Sequence, residues 1–327
     1  MRGGSDHRQA AEFYANLAAS TDVDTLFPAP PTDVAVRNRS IARLRYAPAV
    51  THVESLSFIS PYRVAWPAVR ERFESHSRNT IGRAMHWRHE DGPRPTIIVV
   101  HGFTGSPYRF NSSFFQLPWF YRHGCDVLLA QLPFHGGRND RTGLFDGSGL
   151  FSDGIATFSE AMLQSVTDLR VLVDYLQRGG VERVGITGLS LGGYATALMA
   201  GVEDRLHFAI PNCAVTDLGT LLDRWFPAAQ LMRAGMILGG IDRDTHIAAM
   251  RLHSPLRFAP RLPLDRLFIV GGLADRLAPP EQSARLWQHW DRPRLHWFPG
   301  SHILHLRRAV YLREIGRFLR ETGFSPG

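Results

Sequence analysis

The pattern of apolar and polar positions changes character near residue 93. Beyond it, short unbroken apolar runs recur with room for a helix between them. Thr96-Ile97-Ile98-Val99-Val100 is a β-branched run bounded by Pro95 and Gly102, the pattern of a strand buried on both faces. Cys125-Asp126-Val127-Leu128-Leu129-Ala130 is a second such run. A helix is predicted over residues 158–177, where Leu169, Leu172, Val173 and Leu176 share one face and Gly179-Gly180 ends it. Residues 183–187 predict the next strand and 191–200 the helix after it, and 207–210, 267–270 and 295–298 predict three further strands. Strands alternating with helices imply an α/β fold, with a mostly parallel central sheet flanked by helices.

Two stretches fall outside that rhythm. Residues 1–92 form an N-terminal extension with a Pro cluster (Phe27-Pro28-Ala29-Pro30-Pro31), a helix before it and helical spacing from Trp66 to Phe73. One or two antiparallel strands are expected there, over 50–58 and 82–87, packing with helices on the core. Residues 217–262 separate two core strands by more chain than a simple crossover needs. They carry Leu218, Leu221, Leu222, Trp225 and Phe226, then Leu231, Met232, Met236 and Ile237. The economical reading is a helical cap insertion over a site. The expected organisation is therefore an extension over 1–92, a core over 93–216 and 263–327, and a cap over 217–262. Trp225 and Phe226 are the expected substrate-binding wall of that cap.

Composition narrows the function classes. At 44% hydrophobic and 20% charged, the 327 residues are those of a globular chain, which excludes disordered, coiled-coil and collagen-like classes. No run approaches the roughly 20 apolar residues that span a bilayer, and the first residues show no apolar signal-peptide stretch. A cytoplasmic protein without integral membrane association is expected. The net charge of +7 comes without a single lysine, all 37 cationic residues being arginine. These are interleaved with Asp and Glu rather than gathered in a stripe, so no nucleic-acid partner is expected. The absence of lysine excludes Schiff-base and P-loop chemistry. Cys125 and Cys213 are too few for a disulfide framework and read as free buried thiols. His135, His246 and His253 lack metal-ligand spacing, so neither a metal nor another cofactor is expected.

Candidate chemistry begins at Gly188-Leu189-Ser190-Leu191-Gly192-Gly193. A Gly-x-Ser-x-Gly pentapeptide is weak by itself. Here it directly follows an apolar strand and directly precedes an Ala-rich helix, the context of a strained elbow that exposes a nucleophilic serine. The glycines let strand and helix approach, and the helix N-terminus sets backbone N–H groups beside the serine oxygen. His101-Gly102-Phe103-Thr104-Gly105 ends the strand at 96–100 and can aim a backbone N–H at a developing oxyanion. The expected oxyanion-hole donors are Phe103 and Leu191. A serine needs a general base and the base an orienting carboxylate. His302 follows the last apolar strand, in Phe298-Pro299-Gly300-Ser301-His302. His305, three residues on, is expected inside the C-terminal helix, packed or facing solvent. Asp275 follows the strand at 267–270 through Gly271-Gly272-Leu273-Ala274, and Asp217, after the preceding strand, is its rival.

The order Ser190, Asp275, His302, each after a successive strand, with His101-Gly102-Phe103-Thr104-Gly105 upstream, resembles the α/β-hydrolase superfamily over about 93–324. Its oxyanion loop and serine elbow are similar to those of bacterial carboxylesterases and monoacylglycerol-lipase-like enzymes. The resemblance implies an eight-stranded, mostly parallel sheet and cofactor-free acyl transfer by a Ser-His-Asp triad. It also implies a structural role for the loop Leu132-Pro133-Phe134-His135-Gly136-Gly137-Arg138. The expected activity is a serine esterase acting on a small carboxylic ester of short to medium acyl chain. Another bond (amide, thioester, lactone or carbon–carbon), acyl transfer, and a non-catalytic binding protein of the same fold stay open. So does the role of residues 1–92, which could cover the cap, mediate a homodimer or narrow the entrance.

Overall fold

The strands β1 (Arg37–Ser40), β2 (His52–Ile59), β3 (Ile81–Arg88), β4 (Thr96–Val100), β5 (Asp126–Gln131), β6 (Val184–Leu189), β7 (Phe208–Asn212), β8 (Phe268–Gly272) and β9 (Arg294–Phe298) make one sheet. Its order is β1-β2-β3-β5-β4-β6-β7-β8-β9. The computed structural model describes residues 2–42, 47, 51–221, 236–237 and 239–325. β4 pairs in parallel with both β5 and β6, and parallel pairing continues through β7 and β8 to β9. The chain crosses back over the sheet between these strands, which puts the loop after every parallel strand at one edge. Every residue of β4 and β6 is buried, as their unbroken apolar runs require of central strands.

The N-terminal region is part of this sheet. β2 pairs antiparallel with both β1 and β3, and β3 pairs antiparallel with β5. The sheet thus has nine strands where the resemblance implied eight. The extra edge strand, β1, is Arg-Asn-Arg-Ser with all four residues exposed, and so has no apolar alternation to read. The helix Arg2–Leu17 packs against the long helix Gly154–Arg178 and against Arg243–Met250.

Gly154–Arg178 covers one face and buries charged residues as well as its apolar stripe. Each charge is matched: Asp168 with Arg138 at 2.8 Å, Arg170 with Glu203 at 3.1 Å, Asp174 with Arg205, and Glu160 with the Tyr14 hydroxyl at 2.5 Å. Isolated buried charges would cost several kcal/mol each, so this pairing is a condition of the helix lying where it does. Within 217–262 the described helices are Leu218–Leu221 and Arg243–Met250. Trp225 and Phe226, the expected substrate wall, lie outside the described residues. Among the described residues, no helix is long and apolar enough to cross a membrane.

Candidate active site

β6 ends in a turn that only its neighbouring glycines permit. Ser190 has φ 57° and ψ −113°, a backbone conformation disfavoured for any residue with a side chain. It immediately precedes the helix Leu191–Val202, placing Leu191 at the first helical position, where N–H groups have no intrahelical partner. A Cβ on Gly188 would stand 2.3 Å from the Gly192 oxygen, and one on Gly192 would stand 2.2 Å from the Val100 oxygen. The strain is held from both sides: Ser190 N–H donates to the Asn212 carbonyl at 3.0 Å, and the Ser190 carbonyl accepts from Tyr194 N–H at 2.8 Å.

The loop after β4 lies against this elbow. A Cβ at Gly102 would be 3.5 Å from Ser190 Cβ and 3.3 Å from the Leu189 carbonyl oxygen, which places the loop in contact with the elbow. Phe103 follows Gly102 directly. His101 fixes the loop from beneath: Leu132 N–H donates to its Nε2 at 3.1 Å, which leaves the proton on Nδ1, 2.9 Å from the Gly102 carbonyl. Burial, helped by the neighbouring His135, pushes the His101 pKa down to about 3, so the ring is neutral.

Asp275 and His302 come from the loops after β8 and β9, which are tied together by Ala274 N–H donating to the Gly300 carbonyl at 2.9 Å. His302 Nδ1 lies 2.7 Å from Asp275 Oδ2. The other carboxylate oxygen, Oδ1, accepts from Leu277 N–H at 2.9 Å and Ala278 N–H at 2.8 Å. Both side chains are almost fully buried. The rival Asp217 is engaged elsewhere, with Arg285 at 2.7 Å, and its own N–H donates to Gln282. His305 departs from expectation. The C-terminal helix begins only at Arg308, because Arg307 takes a left-handed φ of 55°. His305 therefore lies in a bridge with Gly300, buried, its ring 3.9 Å from that of Phe298.

The loops of β4, β6, β8 and β9 thus gather Phe103, Ser190, Leu191, Asp275 and His302 at the carboxyl edge of the sheet. The Asp275–His302 bond is formed. Among the described residues, no hydrogen bond joins His302 to Ser190 Oγ. Two further groups belong to this neighbourhood. Cys213, one residue past β7 and at a left-handed φ of 42°, buries its thiol beside Asp275. Burial and the Asp275 charge raise that thiol well above its ordinary pKa. Donor atoms of Cys213, Asp275 and His302 lie within 4.8 Å of one another. Within the trio, His302 and Asp275 are bonded to each other and the Cys213 thiol lies against the same carboxylate. Tyr194, in the first turn of the elbow helix, pairs with His253 Nδ1 at 2.5 Å and so links the elbow to the insertion. Neither role is written in the sequence, because each depends on which loops meet. In the loop after β5, Arg138 is fully buried against Asn79, Gln131 and Asp168, a structural role like the one the resemblance implied.

The model of the prolyl oligopeptidase family matches residues 163–301, which span the elbow, Asp275 and the start of the histidine loop. An uncharacterised protein of Mycobacterium tuberculosis (strain CDC 1551 / Oshkosh) is 30% identical over 327 residues, covering 95% of this chain and 73% of that protein. Acetyl xylan esterase 1 from Thermoanaerobacterium sp. JW/SL YS485 shares the fold with a TM-score of 0.64 at 15% identity, over 95% of this chain and 93% of that one. The acylaminoacyl peptidase of Pyrococcus horikoshii shares it with a TM-score of 0.53 at 18% identity, over 73% of this chain and 39% of that one. With its serine elbow after a central parallel strand, the chain belongs to the α/β-hydrolase superfamily, and over residues 163–301 it is similar to the prolyl oligopeptidase family.

Proposed function

We propose that this chain hydrolyses carboxylic esters through an acyl-enzyme formed on Ser190. The observation that carries the reading is the His302 Nδ1–Asp275 Oδ2 bond of 2.7 Å on the same sheet edge as the strained Ser190. With Nδ1 held by the carboxylate, Nε2 of His302 is the atom left to accept a proton. In the first step Ser190 Oγ attacks the ester carbonyl carbon as its proton passes to His302. The oxyanion of the tetrahedral intermediate is met by the N–H groups of Phe103 and Leu191, each worth about 3–4 kcal/mol in such a position. Collapse expels the alkoxide, which takes the proton from His302. A water, deprotonated by His302, then attacks the acyl-enzyme, and the acid leaves with Ser190 restored. Asp275 holds the imidazole tautomer and steadies the imidazolium formed in each half. No cofactor enters the scheme.

A second reading, hydrolysis of an amide, is favoured by the prolyl oligopeptidase match over 163–301. Both readings use the same proton path and differ in the leaving atom. Turnover of p-nitrophenyl esters and of p-nitroanilides with the same acyl group separates them. The ester reading expects turnover of the ester, much slower release from the anilide, and loss of both in Ser190→Ala with an unchanged circular dichroism spectrum. Retention of esterase activity in Ser190→Ala would overturn the assignment.

A further inference from the structure

We infer that the loops after β4 and β5 build an apolar acyl subsite, and that the acyl group taken is an aliphatic chain of several carbons or an aryl group rather than acetyl. The inference deepens the hydrolase reading and rests on Ser190 being its nucleophile. Three aromatic rings converge beside the elbow. Phe103 meets Phe151 edge-on with centroids 5.6 Å apart, and meets Phe145 edge-on at 6.1 Å. Phe151 in turn stacks on the buried Phe158 at 5.8 Å. Phe103, Phe145 and Phe151 nevertheless remain 37%, 50% and 51% exposed. A folded chain seldom leaves such a cluster in water without a use for it, since each Å² of apolar surface left wet forgoes about 25 cal/mol.

The wall is built in advance of any ligand. Gly147, at φ +87°, lets the β5 loop lie against Phe103, because a Cβ there would stand 2.8 Å from the Phe103 ring and 2.5 Å from His135 Nε2. His135 backs Phe103 edge-on at 5.8 Å and is itself buried, with Nδ1 bonded to the Pro133 carbonyl at 2.8 Å. Asp146, next to Phe145 in the chain, is turned to the backbone: it accepts from Gly136 N–H at 2.7 Å and Ser106 N–H at 3.1 Å. The rings therefore offer a substrate apolar contact.

Sheet order assigns the wall to the acyl side. Ser190 follows β6, the rings come from the loops of β4 and β5 on one side of it, and Asp275 and His302 come from β8 and β9 on the other. The leaving oxygen must face His302 to receive its proton, so the acyl substituent points toward the rings.

The test is the rate at which Ser190 of the full chain is labelled by fluorophosphonates carrying a methyl or an octyl group on phosphorus, a readout independent of which bond the enzyme naturally cuts. The octyl probe is expected to react about tenfold faster or more, the discrimination an apolar pocket gives from added methylenes. Phe145→Ala and Phe151→Ala, which truncate half-exposed rings, should each lower the octyl-to-methyl ratio by about threefold or more. Leu264→Ala, an exposed apolar change ahead of β8, should leave the ratio where it was. Equal rates for both probes, or a ratio that ignores both Phe variants, would overturn the acyl subsite while leaving Ser190 as nucleophile. Failure of both probes to label Ser190 would overturn the nucleophile and the subsite together.

Discussion

Asp275 divides its carboxylate between two tasks: Oδ1 is held by the N–H groups of Leu277 and Ala278, and Oδ2 faces His302 Nδ1 at 2.7 Å. The backbone fixes where the carboxylate sits, and the free oxygen fixes which imidazole nitrogen carries the proton. Asp275→Asn keeps the shape and would stabilise the wrong tautomer. Esterase kcat/KM is expected to fall by about 10⁴-fold, as for removal of the orienting carboxylate charge in other serine triads. Asp217→Asn, at the Arg285 partner, is expected to change it less than about twofold, since a surface pair contributes little. The reverse ranking in steady-state kinetics would make Asp217 the triad acid.

What could be read from the sequence follows how local each signal is. β4 occupies the very residues its apolar run marks, and the long helix, expected over 158–177, runs Gly154–Arg178. Its first turn was missed because Gly154 and Thr157 do not read as an amphipathic start. The Ser190 elbow was legible because strand, glycines and helix are contiguous. The choice between Asp275 and Asp217 was not, because both follow core strands and only the meeting of the β8 and β9 loops separates them. The burial of the Cys213 thiol beside Asp275 and the exposed ring cluster at Phe103 likewise depend on long-range contacts that leave no periodic trace. β1 escaped for the opposite reason, being an edge strand with no buried face.

The elbow glycines make a sharp stability prediction. A methyl at Gly192 would stand 2.2 Å from the Val100 oxygen and 2.5 Å from the His101 oxygen, both backbone atoms of the central strand and its loop. Neither can swing aside as a side chain would. Gly192→Ala is expected to cost about 3 kcal/mol or more and to lower Tm by on the order of 10 °C. Gly219→Ala, whose methyl would meet Ile247 at an ordinary 3.5 Å, should leave Tm within about 2 °C. Calorimetry on the two variants tests the contrast, and an unshifted Gly192→Ala would mean that the helix does not approach β4 so closely.

Acid sensitivity follows from neutral histidines in the core. Burial pushes the pKa values of His86, His101 and His253 down to about 3 each. In the unfolded chain each returns to about 6.5, so below that pH the unfolded state binds more protons than the folded one. Their contribution to stability is complete above about pH 6.5 and is lost progressively as the pH falls toward 3, at up to about 1.4 kcal/mol per pH unit for each ring. Urea midpoints should therefore fall steeply between pH 6.5 and about 4.5. His86→Phe, which keeps an aromatic ring against Tyr175, should flatten that slope by the share of one ring, up to about 1.4 kcal/mol per pH unit. A slope unchanged by His86→Phe would show that the ring is protonated in the folded state.

Residues 1–92 bear on the fold itself. Removing them takes away β1, β2 and β3 and leaves β5 with an unpaired edge where β3 now sits, from Val127 to Gln131. It also strips the buried Glu160 of every donor it has among the described residues. Its carboxylate accepts from the hydroxyls of Tyr14 and Tyr62 and from the N–H groups of Ala65 at 2.9 Å and Trp66 at 3.0 Å, all within the removed region. A buried carboxylate left without partners costs about 3–5 kcal/mol, comparable to half the stability of an ordinary domain. The truncated chain is expected to be insoluble or to lack a cooperative unfolding transition. Glu160→Ala in the full chain should show a milder form of the same defect. Its unsatisfied hydroxyls and N–H groups should cost on the order of 3 kcal/mol, and the helix Arg2–Leu17 should become accessible to limited proteolysis. A truncated chain that folds cooperatively and is labelled at Ser190 by a fluorophosphonate would instead make residues 1–92 a cover over an independent core.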